Sequence, residues 1–305
     1  MQGDITISAK LKNSFDLALE LSKSGIVLLV LMTAAFGYLV GHPLESRWSW
    51  LNFAEVLAGI AFLAGGSAAL NQVQEHEIDQ RMERTRLRPI PSGKVTLIQA
   101  LIFSLLSMVL GLIFLSLTNR NVVILGALSV LSYNGMYTMW WKKKMAFGAV
   151  PGAIPGALPI LMGYQAAHPS WSDPRGYFLF AILFFWQMPH FWVLAIKYSD
   201  DYGKGGFPTL PVAHGVEVTR NQIVLWCLAY VGLGLLCPLF FPVGILGIVG
   251  CVLVGAWVLK ELVGYIRVND PKKWLRFFLA VNFSLIFYLA VITIDLWSVL
   301  VYRRA

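Results

Sequence analysis

Long apolar stretches constrain the fold of this 305-residue chain more than any other feature. A helix needs about twenty mostly apolar residues to cross a bilayer, and nine stretches reach that length. Hydrophobic residues make up 57% of the chain and charged residues only 13%, which excludes an ordinary soluble domain. The sequence predicts an all-α membrane protein with nine transmembrane helices, near residues 24–41, 52–74, 96–118, 121–141, 146–165, 176–197, 221–241, 244–263 and 275–299.

The distribution of basic residues predicts the orientation. With the N-terminus inside, 19 of the 24 Lys and Arg residues fall in inside segments and 5 in outside segments, as the positive-inside rule requires. We therefore expect a cytoplasmic N-terminal segment, residues 1–23, with no cleavable signal. Residues 24–305 form a single intramembrane domain with the C-terminus outside. The net charge of +8 is explained by topology and lipid headgroups, so no nucleic-acid partner is expected.

An acidic segment follows the second apolar stretch and calls for a chemical explanation. Asn71, Glu75 and Asp79 recur every four residues, so a continuing helix places them on one face. Stacked oxygen-bearing side chains repel one another unless a cation lies among them, and hard oxygen ligands suit Mg²⁺ bridged to a phosphate. Arg81, Arg84, Arg86 and Arg88 follow at once, and guanidinium groups bind phosphate oxygens well. The alternative is a solvated loop of mixed charge.

A second cluster on the same side makes the functional interpretation more specific. Asp200 and Asp201 lie between Lys197 and Lys204, and three glycines follow, at positions 203, 205 and 206. Such glycines permit a tight turn near a ligand. Two loops that carry both acids and bases, on one membrane face, predict a shared site for a metal and a diphosphate.

A diphosphate held by Mg²⁺, Arg and Lys is a better leaving group, because the charge that develops on its oxygens meets fixed positive charge. If the rest of the substrate is an allylic isoprenoid, bond cleavage gives a carbocation that must be kept from water and beside an electron-rich acceptor. A cavity within the membrane supplies both conditions.

These residues resemble the intramembrane prenyltransferases of UbiA type, which have one motif of Asn and acids after helix 2 and another acidic motif after helix 6. Four stretches are similar in particular to the protoheme IX farnesyltransferase (heme O synthase) family: NxxxExxxDxxMxRTxxRP (71–89), YTMWWKK (137–143), WQMPHFW (186–192) and DDYGKGGFPTLPV (200–212). The resemblance extends from about residue 25 to residue 285.

The resemblance implies a nine-helix bundle around a central cavity. The implied substrates are farnesyl diphosphate and heme B, and the implied cofactor is Mg²⁺. The implied product is heme with one vinyl group farnesylated and hydrated. The expected location is a bacterial inner membrane, with a heme A synthase as a possible partner. The residues that it implies for metal and diphosphate are Asn71, Glu75, Asp79, Asp200 and Asp201, with Arg84 and Arg88 assisting the diphosphate. Lys142 and Lys204 are further candidates for the diphosphate from their positions on the inside face, and the alternative for Lys142 is a topology anchor.

The chain departs from the family pattern at three places. Glu75 stands where the family usually has Asp, and this longer carboxylate still reaches a metal. The second motif has adjacent acids, with Tyr198 and Tyr202 where related enzymes place acids four residues apart, which weakens the case for a second metal. A Pro-Pro pair of helix 5 is Leu158-Pro159 here, which affects mainly the bend of that helix.

Other candidates and functions remain open. His190, beside Pro189, is a candidate to contact heme or steady a carbocation, or else to hydrogen-bond between helices. The cysteines 227, 237 and 251 are expected to pack in apolar surroundings. Competing functions are a prenyltransferase for another aromatic acceptor and a transporter with helices broken at Pro151, Pro155 and Pro189.

Overall fold

Nine long helices make up most of the structure, a computed structural model that describes residues 15–42, 48–267 and 271–302. No strand occurs among these residues, which confirms the all-α prediction. The helices in chain order are α1 (Ser24–Gly41), α2 (Trp50–Asp79), α3 (Leu97–Ser116), α4 (Arg120–Lys144), α5 (Ala149–Ala167), α6 (Pro174–Lys197), α7 (Leu210–Leu235), α8 (Ile245–Arg267) and α9 (Pro271–Tyr302). A short helix, Ser199–Lys204, lies between α6 and α7.

Seven of these helices are long and apolar enough to cross a membrane, and α5 and α7 are the exceptions within the described ranges. Helix α5 contains Pro155 and Pro159 among its small residues, and α7 begins with polar residues and bends at Gly215, where φ is 83°. Large apolar side chains, including Ile98, Leu106 and Val109 of α3, are exposed on the outer surface. Surfaces of this kind face lipid, and the chain is a multi-pass membrane protein.

Local sequence signals set several helix boundaries. Asn119 accepts a hydrogen bond from the Val122 amide at the start of α4, and Thr96 and Gln99 form a capping box at the start of α3, both of which satisfy amides that a helix leaves unpaired. The predicted seventh span begins near residue 221, whereas α7 begins at residue 210. The first turns of α7 are polar, and Gly215 interrupts their helical backbone.

Close packing of α1 against α5 holds the bundle together beside the cavity. A Cβ atom added at Gly163 would lie 1.9 Å from the Ala34 carbonyl oxygen, and one added at Gly37 would lie 2.0 Å from the Ile160 carbonyl oxygen. The two backbones therefore approach more closely than any larger residue allows, as is common between membrane helices. Two apolar clusters flank this contact, one among α1–α5 and one among α5–α9.

We expect Gly163→Ala to lower the thermal unfolding midpoint in detergent by several degrees, because the added methyl group must push α1 and α5 apart, and overpacking typically costs about 1–3 kcal/mol. Gly232→Ala is the matched control, since an added Cβ there meets nothing within 4 Å. Equal midpoints for the two variants would contradict the close contact.

Candidate active site

The first motif lies on the last two turns of α2. The helix continues to Asp79, as predicted, and therefore carries Asn71, Glu75 and Asp79 on one face. Each of the three residues is only 2% exposed. Carboxylate and amide side chains are rarely buried so completely unless they have ionic or hydrogen-bonding partners.

Each of the three motif side chains meets a cation from another segment. The Lys23 Nζ donates to Asn71 Oδ1 at 2.7 Å. The Lys142 Nζ, at the end of α4, donates to both Glu75 oxygens at 2.8 Å. Arg88 Nη1 donates to both Asp79 oxygens, at 2.9 and 2.7 Å. Three cations from three parts of the chain therefore converge on one helix face.

Hydrogen bonds between α2 and α4 orient the motif. Asn71 Nδ2 donates to Thr138 Oγ1 at 3.1 Å, so its Oδ1 is the atom left for Lys23, which can only donate. One turn before Thr138, Asn134 accepts from the Ser67 hydroxyl and donates to the Ser67 carbonyl. These α4 residues belong to a π-helical stretch, Leu131–Trp141. Such stretches are frequent at functional sites, because they turn side chains out of α-helical register.

Lys23 reaches the site from a backbone kink. It is the one non-glycine residue with positive φ among the described residues (φ 51°, ψ 55°), a conformation that costs an L-residue about 1–2 kcal/mol. Burial, with the repulsion of Arg88 second, lowers the pKa of Lys23 to about 7. The amine is therefore held in the site against both backbone strain and desolvation.

The charged face opens into an elongated cavity of about 400 Å³, a volume typical of small-molecule sites. Along α2 its lining changes from Ile60 and Leu63 to Ser67, Asn71 and Glu75. Fifteen residues of helix span about 22 Å, so the cavity has an apolar end and a charged end. That shape suits a molecule with a greasy tail and an anionic head. Other apolar lining residues are Val30, Pro159, Met162, Met188 and Phe191.

Tyrosines line the wall near the charged end. Tyr133 and Tyr137 stack on each other with ring centroids 5.9 Å apart, and both line the cavity together with Tyr202. Burial raises the pKa of Tyr202, so its hydroxyl stays neutral. Neutral aromatic faces attract cations, so these rings can stabilise a carbocation without supplying a competing charge.

The second motif acts on the first loop through hydrogen bonds. The Asp201 carboxylate accepts from the Glu83 amide at 2.8 Å and from the Arg84 amide at 3.4 Å. Arg84 in turn lines the cavity and lies over the Tyr198 and Tyr202 rings, 5.5 and 5.8 Å from their centroids. The two predicted loops therefore meet, as expected, and Asp201 fixes the backbone that carries Arg84.

Besides Asp79 and Asp201, which bond Arg88 and the loop of Arg84, three predicted site residues lie away from the cavity wall. Asp200 and Lys204 are exposed. His190 stacks on Trp186 and Phe278, at 4.9 and 5.4 Å between ring centroids. It therefore lies between α6 and α9, and its neighbours Gln187, Met188 and Phe191 line the cavity instead. The proposed roles of these three residues stay predictions.

Sequence reasoning missed Lys23, Tyr133 and Tyr137 as site residues. The tyrosines carry a detectable signal, since Tyr133 and Tyr137 are four residues apart in an apolar stretch, as are Asn134 and Thr138. Lys23 carries none, because it reads as an ordinary positive charge at the inside end of a helix.

The donor set fits Mg²⁺ that binds together with a phosphate. Asn71, Glu75 and Asp79 offer the oxygen ligands that Mg²⁺ prefers, and Mg²⁺ usually keeps waters and substrate phosphate oxygens in addition. Among residues 15–42, 48–267 and 271–302, no three Asp, Glu, His or Cys side chains are placed to hold a metal by themselves. A diphosphate would complete such a site.

Comparisons with known proteins agree with this geometry. Residues 30–290 match the model of the UbiA prenyltransferase family, and the chain belongs to that family and is a prenyltransferase. It is 44% identical over 281 residues to the protoheme IX farnesyltransferase of Bdellovibrio bacteriovorus, with 92% of this chain and 96% of that protein covered.

Two solved structures show the same fold at low sequence identity. A structure of digeranylgeranylglyceryl phosphate synthase has a TM-score of 0.76 at 18% identity, covering 93% of this chain and 98% of that one. A UbiA homologue from Archaeoglobus fulgidus bound to GPP and Mg²⁺ has a TM-score of 0.65 at 16% identity, covering 91% and 99%.

We expect Lys142→Met to destabilise the protein by about 3 kcal/mol, because it leaves the Glu75 carboxylate buried without its partner. Glu75→Gln added to that variant removes the uncompensated charge and restores much of the stability, without restoring turnover. Denaturant titration in detergent measures both effects. A single Lys142→Met variant as stable as the parent would contradict a buried pair.

Asp201→Asn should raise the KM for the prenyl diphosphate about fivefold, since an uncharged side chain caps the Glu83 and Arg84 amides less well and a lost cap is worth about 1 kcal/mol. Steady-state kinetics with Glu83→Gln as control check this, because that carboxylate is exposed in the same loop. An unchanged KM in Asp201→Asn would show that the cap does not position Arg84.

Proposed function

We propose that this prenyltransferase transfers the farnesyl group of farnesyl diphosphate to a vinyl group of heme B, with Mg²⁺ as its cofactor. The observation that carries the proposal is the row of buried oxygen ligands, each paired with a cation, at the charged end of an apolar cavity. The relative from Bdellovibrio bacteriovorus, named for farnesyl transfer to protoheme IX, supports the choice of substrates.

The diphosphate occupies the charged end, and the farnesyl chain extends along the apolar end of the cavity. Asn71, Glu75 and Asp79 hold Mg²⁺, which neutralises diphosphate oxygens when bound. Lys142 and Arg88, released from their carboxylates, bind the diphosphate together with Arg84. All of these contacts stabilise the negative charge that grows on the leaving group as its carbon–oxygen bond breaks.

The acceptor completes the reaction. The electron pair of the broken bond leaves with diphosphate, and the vinyl π electrons form the new carbon–carbon bond to the farnesyl cation. The cation that results on the carbon beside the heme ring is captured by water, which then loses a proton. Tyr133, Tyr137 and Tyr202 line the cavity near the charged end and steady the first cation through their ring faces.

The distribution of Lys and Arg gives the proposed orientation in the membrane. All nine helices cross a bacterial inner membrane, with residues 1–23 cytoplasmic, residues 24–305 forming one intramembrane domain and the C-terminus outside. In this orientation the diphosphate end faces the cytoplasmic boundary, because Lys23, which follows the cytoplasmic segment directly, lies beside Asn71 and Lys142.

Incubation of the purified protein with heme B, farnesyl diphosphate and Mg²⁺ should give a hydroxyethylfarnesyl heme, detected by mass spectrometry of the extracted hemes and abolished by a chelator. No modified heme, with prenylation of another aromatic acceptor offered in parallel, would keep the class of enzyme and reject heme B.

Asp79→Asn should lower turnover by at least about 100-fold while the protein remains folded, because it removes a metal ligand and the partner of Arg88. Glu77→Gln is the matched control: that carboxylate is exposed on the same helix, two residues away. Comparable turnover in the two variants would reject the site assignment.

A further inference from the structure

Lys23 connects a helical segment, residues 15–21, to the start of α1 and lines the charged end of the cavity. Its ammonium nitrogen lies 2.7 Å from Asn71 Oδ1, the oxygen that the proposed function gives to the metal. Two cations at one amide oxygen repel each other strongly in a buried site. The metal and Lys23 therefore compete for Asn71.

We propose that Lys23 exchanges partners, bonding Asn71 in the metal-free protein and the diphosphate once metal and diphosphate are bound. This inference rests on the proposed function for the identity of the ligands. Lys23 then has two roles. It pairs with the Asn71 Oδ1 atom while the site is empty, and it binds the leaving group when metal and diphosphate are present.

The surroundings of the amine leave it one new partner. Arg88 and Lys142 both repel Lys23, and Glu75 and Asp79 attract it. Those two carboxylates pair with Lys142 and Arg88 in this structure, and in the proposed bound state they hold the metal. A displaced ammonium group needs an anionic acceptor. The diphosphate supplies one at the same end of the cavity.

The segment that carries Lys23 is docked next to the motif. Gln72 Nε2 donates to the carbonyl oxygens of Glu20 and Leu21, at 3.2 and 2.9 Å, and Gln72 is 1% exposed. Leu21 packs among Ala69, Ile90 and Ala100. Two adjacent residues of α2 therefore have separate roles. Asn71 is the proposed metal ligand, and Gln72 anchors the segment that carries Lys23, which makes Gln72 a positioning residue.

Partner exchange predicts that a variant without the ammonium group binds the metal more tightly and the diphosphate more weakly. Lys23→Asn removes the ammonium group with a residue that tolerates positive φ. Without the competing cation, Mn²⁺ used as a probe for the metal should bind severalfold more tightly in the absence of diphosphate. In the presence of Mg²⁺, inorganic diphosphate should bind about tenfold more weakly, the size of one lost charge-assisted hydrogen bond.

The experiment uses the full-length purified protein, with Mn²⁺ binding followed by electron paramagnetic resonance and diphosphate binding by calorimetry. Lys23→Arg should retain diphosphate binding to within a few fold. Gln72→Leu should weaken it less than Lys23→Asn, because the amine remains but is less well held. Lys144→Asn is the control for loss of one positive charge at the same end, since Lys144 is exposed and lies outside the cavity wall.

Equal diphosphate affinity in Lys23→Asn and the parent would overturn the exchange, and so would weaker binding of Mn²⁺ alone, which would mark Lys23 as a structural support of Asn71. These measurements involve neither heme nor a prenyl chain, so a failed heme assay leaves them intact. If the parent protein bound no diphosphate with Mg²⁺, the proposed function would fall and the exchange with it.

Discussion

Two carboxylates buried in the helix bundle need positive partners, and this requirement organises the site. Glu75 and Asp79 are each 2% exposed, and isolated charges at such depth cost several kcal/mol. The chain meets the requirement with Lys142 and Arg88, which come from the end of α4 and from the loop after α2. The pairs therefore join the end of α4 and the loop after α2 to the last turns of α2.

The same pairs prepare the protein for a substrate of high negative charge. Four cationic side chains, Lys23, Arg84, Arg88 and Lys142, line one end of the cavity. Two carboxylates, Glu75 and Asp79, offset part of that charge through their pairs with Lys142 and Arg88. The positive excess attracts a diphosphate even before a metal is present. The cations already lie at this end of the cavity, so they need only exchange their present partners for a bound anion to meet the charge that develops on a leaving group.

The cavity depends on backbone features that keep it narrow and well defined. Small residues let α1 and α5 meet backbone to backbone, and the absence of a side chain at Gly152 leaves room for the Tyr137 ring, which a Cβ would meet at 2.5 Å. The π-helical stretch of α4 presents Tyr133 and Tyr137 to the cavity while Asn134 and Thr138 bond to α2. Packing and chemistry are thus set by the same turns of helix.

Much of this was readable from residue order. Hydropathy gave the helical class and most helix positions, since a membrane leaves the backbone few alternatives, and the four-residue spacing of Asn71, Glu75 and Asp79 placed them on one face because that follows from helix geometry alone. The sequence could not place His190. A histidine beside a proline in an apolar helix faces whichever helix packs against it, and here that helix is α9.

The sequence by itself determined an all-α membrane protein with an acidic row and a basic loop suited to a metal and a diphosphate. These features follow from the hydropathy and residue spacing of short stretches of chain, which do not depend on how the helices pack. Only the tertiary structure decided which cation meets which acid, that Asp201 caps the loop of Arg84, and that Lys23 reaches Asn71. Arg88 and Asp79 are nine positions apart, but the other contacts join residues 48 to 118 positions apart. The packing of the helices selects those distant partners, and no local pattern in the chain indicates them.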